Sequence, residues 1–258
     1  VNTMRSSMEE IERLLTEAEI KYEVSPVHPS SIMITSLRDV RALPLFQNGL
    51  VTVQDASASL AVQLAHPQPG MMVVDLCAAP GGKAVHAAEL MNNKGTVIAL
   101  EKYESKLRFI EENAQRSGIS IVAASQGDAR EYSQKEQADL VLVDAPCTGM
   151  GTLSKKPDIK WRRDIDDIRK MSVTQREILD HAATLVKPGG AIVYSTCTIE
   201  PEENTGVVSW FLERHPEFAL DRAENHLPAE VCEDGFLQTF PHKHKTDGAF
   251  GARLVRKS

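Results

Sequence analysis

Two cysteines carry the first chemical signal in this sequence. Cys147 lies in Asp144-Ala145-Pro146-Cys147-Thr148-Gly149 and Cys197 in Ser195-Thr196-Cys197-Thr198, each directly after an apolar run patterned like a buried strand. A free cysteine is most often a small buried hydrophobe. Two of them at the carboxyl ends of adjacent strands, where a parallel sheet binds its ligands, are instead candidate nucleophiles facing one pocket. Residue type and spacing do not choose between them. Pro201, Glu202 and Glu203, shortly after Cys197, suit the first turn of a helix and are read that way.

Other strand ends supply the groups that would hold a second substrate. The turn Asp75-Leu76-Cys77-Ala78-Ala79-Pro80-Gly81-Gly82-Lys83 is built of small residues and feeds a helix, so a ligand can approach the backbone and meet free N–H groups. It matches neither G-x-G-x-x-G nor G-x-x-x-x-G-K-[ST], which disfavours a nicotinamide cofactor or ATP. Glu101, ending the next strand, can grip both hydroxyls of a ribose, and Asp128 in Gly127-Asp128-Ala129 can accept from an adenine amino group. Ribose and adenine recognition without a phosphate cradle points to S-adenosylmethionine.

These positions need a scaffold, and the periodicity predicts one. Apolar strands at Met71–Leu76, Thr96–Leu100, Ile119–Ala124, Ala138–Val143 and Ala191–Ser195 alternate with helices at Lys83–Met91, Glu104–Arg116 and Val173–Val186. A helix over Pro201–Arg214 and strands over Gly235–Phe240 and Ala249–Val255 follow. Seven strands so arranged predict a doubly wound α/β sheet. Ahead of it, a helix over residues 5–18 and strands at Tyr22–Ser25 and Ser31–Thr35 predict a small N-terminal α/β appendage, so residues 1–45 and 46–258 are expected as two parts.

Composition bounds the rest. With 258 residues, 42% hydrophobic and 25% charged, the chain can bury a sizeable core. Its four cysteines, Cys77, Cys147, Cys197 and Cys232, form no Cys-x-x-Cys pair, so no metal module is expected and the thiols suit a reducing, cytoplasmic setting. No run approaches the roughly 20 apolar residues of a membrane span. A net charge of −7 disfavours a nucleic-acid partner unless a local basic patch overrules it. Such a patch exists: Lys155, Lys156, Lys160, Arg162 and Arg163 surround Trp161 with Asp158 the one acid among them, directly after the Cys147 loop. It is expected to clamp RNA backbone, with Trp161 stacking on a base or packing. His242-Lys243-His244-Lys245 is a second candidate patch.

Taken together, Asp75–Lys83, Asp144–Gly149, Thr196–Asn204 and Thr246–Phe250 resemble the RNA cytosine-5 methyltransferase family, most closely its bacterial Sun (Fmu) branch. Val1-Asn2-Thr3 before a helix and Val53–Ser57 match as well, so the resemblance spans the chain. It implies a Rossmann-like methyltransferase sheet using S-adenosylmethionine, held by Cys77, Ala78, Ala79, Pro80, Gly81, Gly82, Lys83, Glu101, Asp128 and Asp144. It also implies Cys197 as nucleophile and Cys147 as the thiol that assists product release, although DNA cytosine methyltransferases use the thiol of a Pro-Cys pair such as Pro146-Cys147. Asp144 is then expected on the cytosine amino edge or ring nitrogen 3, and Lys83 near a thiol or the target phosphate. Thr148 and Thr198 replace the usual serines and keep a hydroxyl. Gly251 and Ala252 depart from bulkier residues.

The resemblance implies RNA, bacterial small-subunit ribosomal RNA above all, as substrate, and a monomer. Relatives of this branch carry a further helical RNA-binding domain upstream, so the chain is expected to be part of a longer protein. The rival readings are a transfer-RNA or DNA cytosine methyltransferase, a small-molecule methyltransferase, and a catalytically silent RNA-binding factor in ribosome assembly.

Overall fold

The computed structural model describes residues 1–34, 39–135 and 137–258. Helix α1 (Met8–Glu17) starts at Ser7, whose hydroxyl accepts from the Glu10 N–H, and buries Ile11 and Leu15 on one face. Strands β1 (Tyr22–Val24) and β2 (Ile32–Ile34) pair antiparallel; Thr35, the expected end of the second, lies outside the described residues. A short helix, α2 (Pro44–Gln47), supplies Leu45 to a small cluster with Ile11 and Leu15.

Helix α3 (Ala56–Ala65) was not expected from apolar spacing. Eight of its ten residues are buried, so it has no polar face and shows no helical period. Only its cap, Asp55, which accepts from the Ser57 N–H, marks its start.

The alternation then proceeds as β3 (Met72–Asp75), α4 (Gly82–Leu90), β4 (Thr96–Glu101), α5 (Glu104–Ser117), β5 (Val122–Gln126), β6 (Ala138–Asp144), α6 (Ile159–Arg162), α7 (Ile165–Leu185), β7 (Val186–Thr196) and α8 (Thr205–Arg214). The chain ends in β8 (Phe218–Asp221), β9 (Cys232–Glu233), β10 (Phe236–Thr239), α9 (Pro241–His244) and β11 (Ala249–Arg256). Three expected bounds move for identifiable reasons. α7 begins at Ile165 instead of Val173, because Asp164 and Asp167 form a capping box there. β5 begins at Val122 because Gly118, left-handed at φ 75°, ends α5 and Ile119 still bonds back to Ala114. The helix expected from Pro201 breaks into a 3-10 turn, Pro201–Glu203, and α8, because Asn204 leaves helical geometry at φ −113° and ψ −102°.

The strands lie in the order β5-β4-β3-β6-β7-β11-β10-β9, with β8 on β11. All seven expected strands are present; β8 and β9, four and two residues long, are too short for periodicity to reveal. β5 through β7 run parallel, and β11 enters antiparallel beside β7. The chain winds outward from β3 and returns to β6 on its other side, so their carboxyl ends flank the crevice where such sheets bind ligands. Along β6 the pleat sends Leu140 and Leu142 into the layer under α3 to α5, and Val141 and Val143 into the layer under α7 and α8. Burial of each such side chain contributes about 1.5–3 kcal/mol, so both layers hold the strand ends in place. Among the described residues, no helix is long and apolar enough to cross a membrane.

Candidate active site

The carboxyl ends of β3, β6 and β7 bring Asp75, Asp144 and Ser195 together with Lys83 from the first turn of α4. Asp144 accepts from Lys83 Nζ at 2.7 Å through Oδ2 and from Ser195 Oγ at 3.1 Å through Oδ1. Asp75 is 1% exposed; its Oδ1 accepts from the Cys77 N–H, while Oδ2 has no partner. Burial, then the neighbouring Asp144, raises its pKa to about 7. The turn between Asp75 and Lys83 passes close to α5: Gly81 has φ +102°, and a Cβ there would lie 3.0 Å from Ile110 Cα.

The other expected cofactor residues line the same edge. Glu101 is buried at the end of β4 and accepts from the Tyr103 N–H at 2.9 Å. Asp128 is engaged by Arg130 at 2.8 Å and Lys102 at 3.0 Å, and the Arg130 bonds hold its carboxyl well below the usual range. Cys77 is a wall residue, its thiol kept protonated by burial. An unpartnered buried carboxylate oxygen beside a small-residue turn, with a second carboxylate at the next strand end, fits a ligand carrying both a cationic group and a ribose, as S-adenosylmethionine does. A cavity of about 610 Å³, lined in part by Ile11, His28, Gln54, Gly82, His86 and Glu89, contains neither cysteine.

The two thiols meet. Cys147 Sγ and Cys197 Sγ are 3.4 Å apart, with Cys197 exposed and Cys147 half-buried. The hydrogen bond from Cys147, together with Lys83 and Lys156, lowers the Cys197 pKa against the opposing effects of burial and Asp144. The same bond and deeper burial raise that of Cys147. Cys197 is thus the more acidic thiol of the pair and Cys147 the less acidic.

Sequence reading missed what lies beneath them. Glu203 is 0% exposed. Its carboxylate accepts from the Thr148 N–H at 2.9 Å, from the Thr148 hydroxyl, and from Gln175 Nε2 at 2.8 Å. Gln175 also donates to the Pro146 carbonyl at 2.9 Å, and the Thr148 and Thr198 hydroxyls meet at 3.1 Å. Asn204 accepts from the Thr196 hydroxyl and donates to the Thr198 carbonyl. The available signal was the pairing of each cysteine with a following threonine; the placement of Glu203 in a helical turn hid its other role.

The basic segment divides. Lys155 donates to Asp55 and Asp247 and ties three loops together. Lys156, Lys160, Arg162 and Arg163 are exposed, Arg162 pairing with Asp158 at 3.3 Å. Trp161 is 83% exposed with Lys160 over its ring, so it stacks on nothing in the protein core.

A parallel sheet with an antiparallel strand inserted beside β7, and an acidic crevice at the ends of β3 and β4, define a Rossmann-like methyltransferase. A family model described as 16S rRNA methyltransferase RsmB/F matches residues 62–255, and the chain belongs to that family. It is 39% identical over its full length to the probable ribosomal RNA small subunit methyltransferase B of Bacillus subtilis, of which it spans 59%. The crystal structure of PH0851 superposes on 98% of the chain and 58% of its own, with a TM-score of 0.93 and 39% identity. A methyltransferase homologue from Pyrococcus horikoshii superposes on 99% of the chain and 85% of its own, with a TM-score of 0.84 and 29% identity.

Proposed function

We propose that this chain methylates carbon 5 of a cytosine in RNA, bacterial small-subunit ribosomal RNA, through a covalent bond from Cys197 to cytosine carbon 6. The observation that carries this reading is the asymmetric thiol pair, Cys197 exposed with its pKa lowered and Cys147 half-buried with its pKa raised, their sulfurs 3.4 Å apart. Carbon 5 of cytosine is a poor nucleophile, and addition of a thiolate to carbon 6 turns the ring into an enamine that reacts at carbon 5.

Asp75, Cys77–Lys83, Glu101, Asp128 and Asp144 would hold S-adenosylmethionine, which supplies an electrophilic methyl group when bound. Cys197 adds to the ring, and Asp144, held by Lys83 and Ser195, accepts from the cytosine amino group. Once the carbon 5 proton has gone to a base, the Cys197–carbon bond breaks, and Cys147 is the group within reach of the departing sulfur. Lys156, Lys160, Arg162 and Arg163 grip the backbone while Trp161 stacks on a base. The target must be unstacked to reach the thiols, so a loop or melted segment is the expected substrate. Residues 1–45 guide that RNA beside the catalytic part, residues 46–258. The protein works as a monomer in the cytoplasm.

Denaturing electrophoresis of protein mixed with unmodified small-subunit ribosomal RNA and S-adenosylmethionine tests the assignment. Cys197→Ala removes both methyl transfer and covalent RNA, while Cys147→Ala accumulates covalent RNA. The opposite pattern would make Cys147 the nucleophile, and no methylation by wild type would favour a silent assembly factor.

A further inference from the structure

The network under the two thiols does more than fill space. A carboxylate at 0% exposure with no cation bonded to it among the described residues is costly unless several donors converge on it. Glu203 receives three, and two come from Thr148, the residue after Cys147. Because the carboxylate only accepts, the Thr148 hydroxyl must donate to it. That leaves the Thr148 oxygen free to accept from Thr198, the residue after Cys197, at 3.1 Å. Gln175 adds a second tie, joining Glu203 to the carbonyl of Pro146, the residue before Cys147. Gly151 closes the arrangement by donating to the Cys197 carbonyl at 3.0 Å. Both cysteine loops are thus referred to one buried charge, and the hydroxyl bridge joins the residues next to the two thiols.

We infer that Glu203 is a positioning residue: acting through Thr148, Thr198 and Gln175, it sets the spacing of Cys147 and Cys197, so that the adduct formed on one thiol is released with help from the other. The inference rests on the two-thiol reading above. A looser bridge leaves Cys197 free to attack cytosine but removes Cys147 from the departing sulfur. Loss of the bridge should therefore resemble loss of Cys147 and not loss of Cys197.

Thr148→Val is nearly isosteric and deletes the bridging hydroxyl; Thr148→Ser restores it. With unmodified small-subunit ribosomal RNA, Thr148→Val should lower kcat at least tenfold, leave KM for RNA within about threefold, and accumulate covalent protein–RNA complex. Thr148→Ser should recover most of kcat and clear the complex. Thr198→Val removes the same bridge but leaves all three donors to Glu203 in place. It carries the same expectations should Thr148→Val fail to fold, as judged by its thermal transition. Wild-type turnover in both valine variants, or a fall in kcat with no accumulated complex, overturns the inference. Cys147→Ala in the same assay separates the two levels: if it too accumulates no complex, the two-thiol reading fails and this inference falls with it.

Discussion

The reactivity of Cys197 is a balance among its immediate neighbours. A hydrogen bond from Cys147 and the charges of Lys83 and Lys156 favour the thiolate, while burial and Asp144 oppose it, and the result lies below the ordinary thiol value. A cation that stabilises the thiolate lowers its pKa, so removing one must raise it. In Lys156→Met, the rate of Cys197 alkylation by iodoacetamide, measured without RNA, should rise at a higher pH than in wild type. It should be slower near neutrality and converge with wild type well above pH 9. An unmoved profile would show that Lys156 is too well solvated to act on the thiol. Single residues also mark the limit of sequence reading. Both cysteines were recognisable from their strand-end positions, because sheet topology gathers such ends whatever the side-chain details, whereas the expectations for Asp144 and Lys83 came from the family resemblance. The buried bonds of Glu203 and the ion pairs of Lys155 were not foreseen, because they depend on partners far along the chain, Thr148 for one, Asp55 and Asp247 for the other.

At the level of elements, the site depends on loops that touch without side chains between them. Gly151 donates to the Cys197 carbonyl and accepts from the Gly248 N–H, and a Cβ on Gly151 would overlap the Gly248 carbonyl. Gly151→Ala must therefore push apart the loops that follow β6 and β7 and the one that precedes β11. Such overpacking costs about 1–3 kcal/mol, which for a domain of this size is a fall of roughly 2–12 °C in Tm. Thermal unfolding followed by circular dichroism would measure it, and an unchanged transition would mean that these loops yield freely. The central strands were legible as short apolar runs, buried on both faces, and most helices as apolar stripes at helical spacing. α3 printed none, since nearly all of it is buried, and the break at Asn204 is set by its bonds to Thr196 and Thr198.

For the whole molecule, the net charge of −7 and the proposed RNA substrate are reconciled by distribution. Lys156, Lys160, Arg162 and Arg163, all exposed, gather with Trp161 on the segment that follows the Cys147 loop, whereas acids such as Asp55, Asp128 and Asp247 are held in intramolecular ion pairs. Replacing Lys156, Lys160, Arg162 and Arg163 by neutral residues should weaken RNA binding. It should also flatten the dependence of log affinity on log salt, by roughly 0.7 for each phosphate that is no longer neutralised. Trp161→Ala should weaken binding by about 1–3 kcal/mol if one base stacks there, with no change in Tm because the ring is 83% exposed. Equal salt slopes for wild type and the neutralised variant, in filter-binding titrations, would move the RNA path elsewhere, with α9 and its His242–Lys245 patch the next place to look. The amino-acid sequence alone determined the doubly wound sheet, the small-residue turn, and the two cysteines at strand ends, because these follow from periodicity and from what strand ends have in common. Only the tertiary structure showed that the two thiols lie 3.4 Å apart with Cys197 the more exposed, and what holds the pair together. Those properties are set by burial and by hydrogen bonds between residues some 50 to 190 positions apart, and no local pattern in the chain records them.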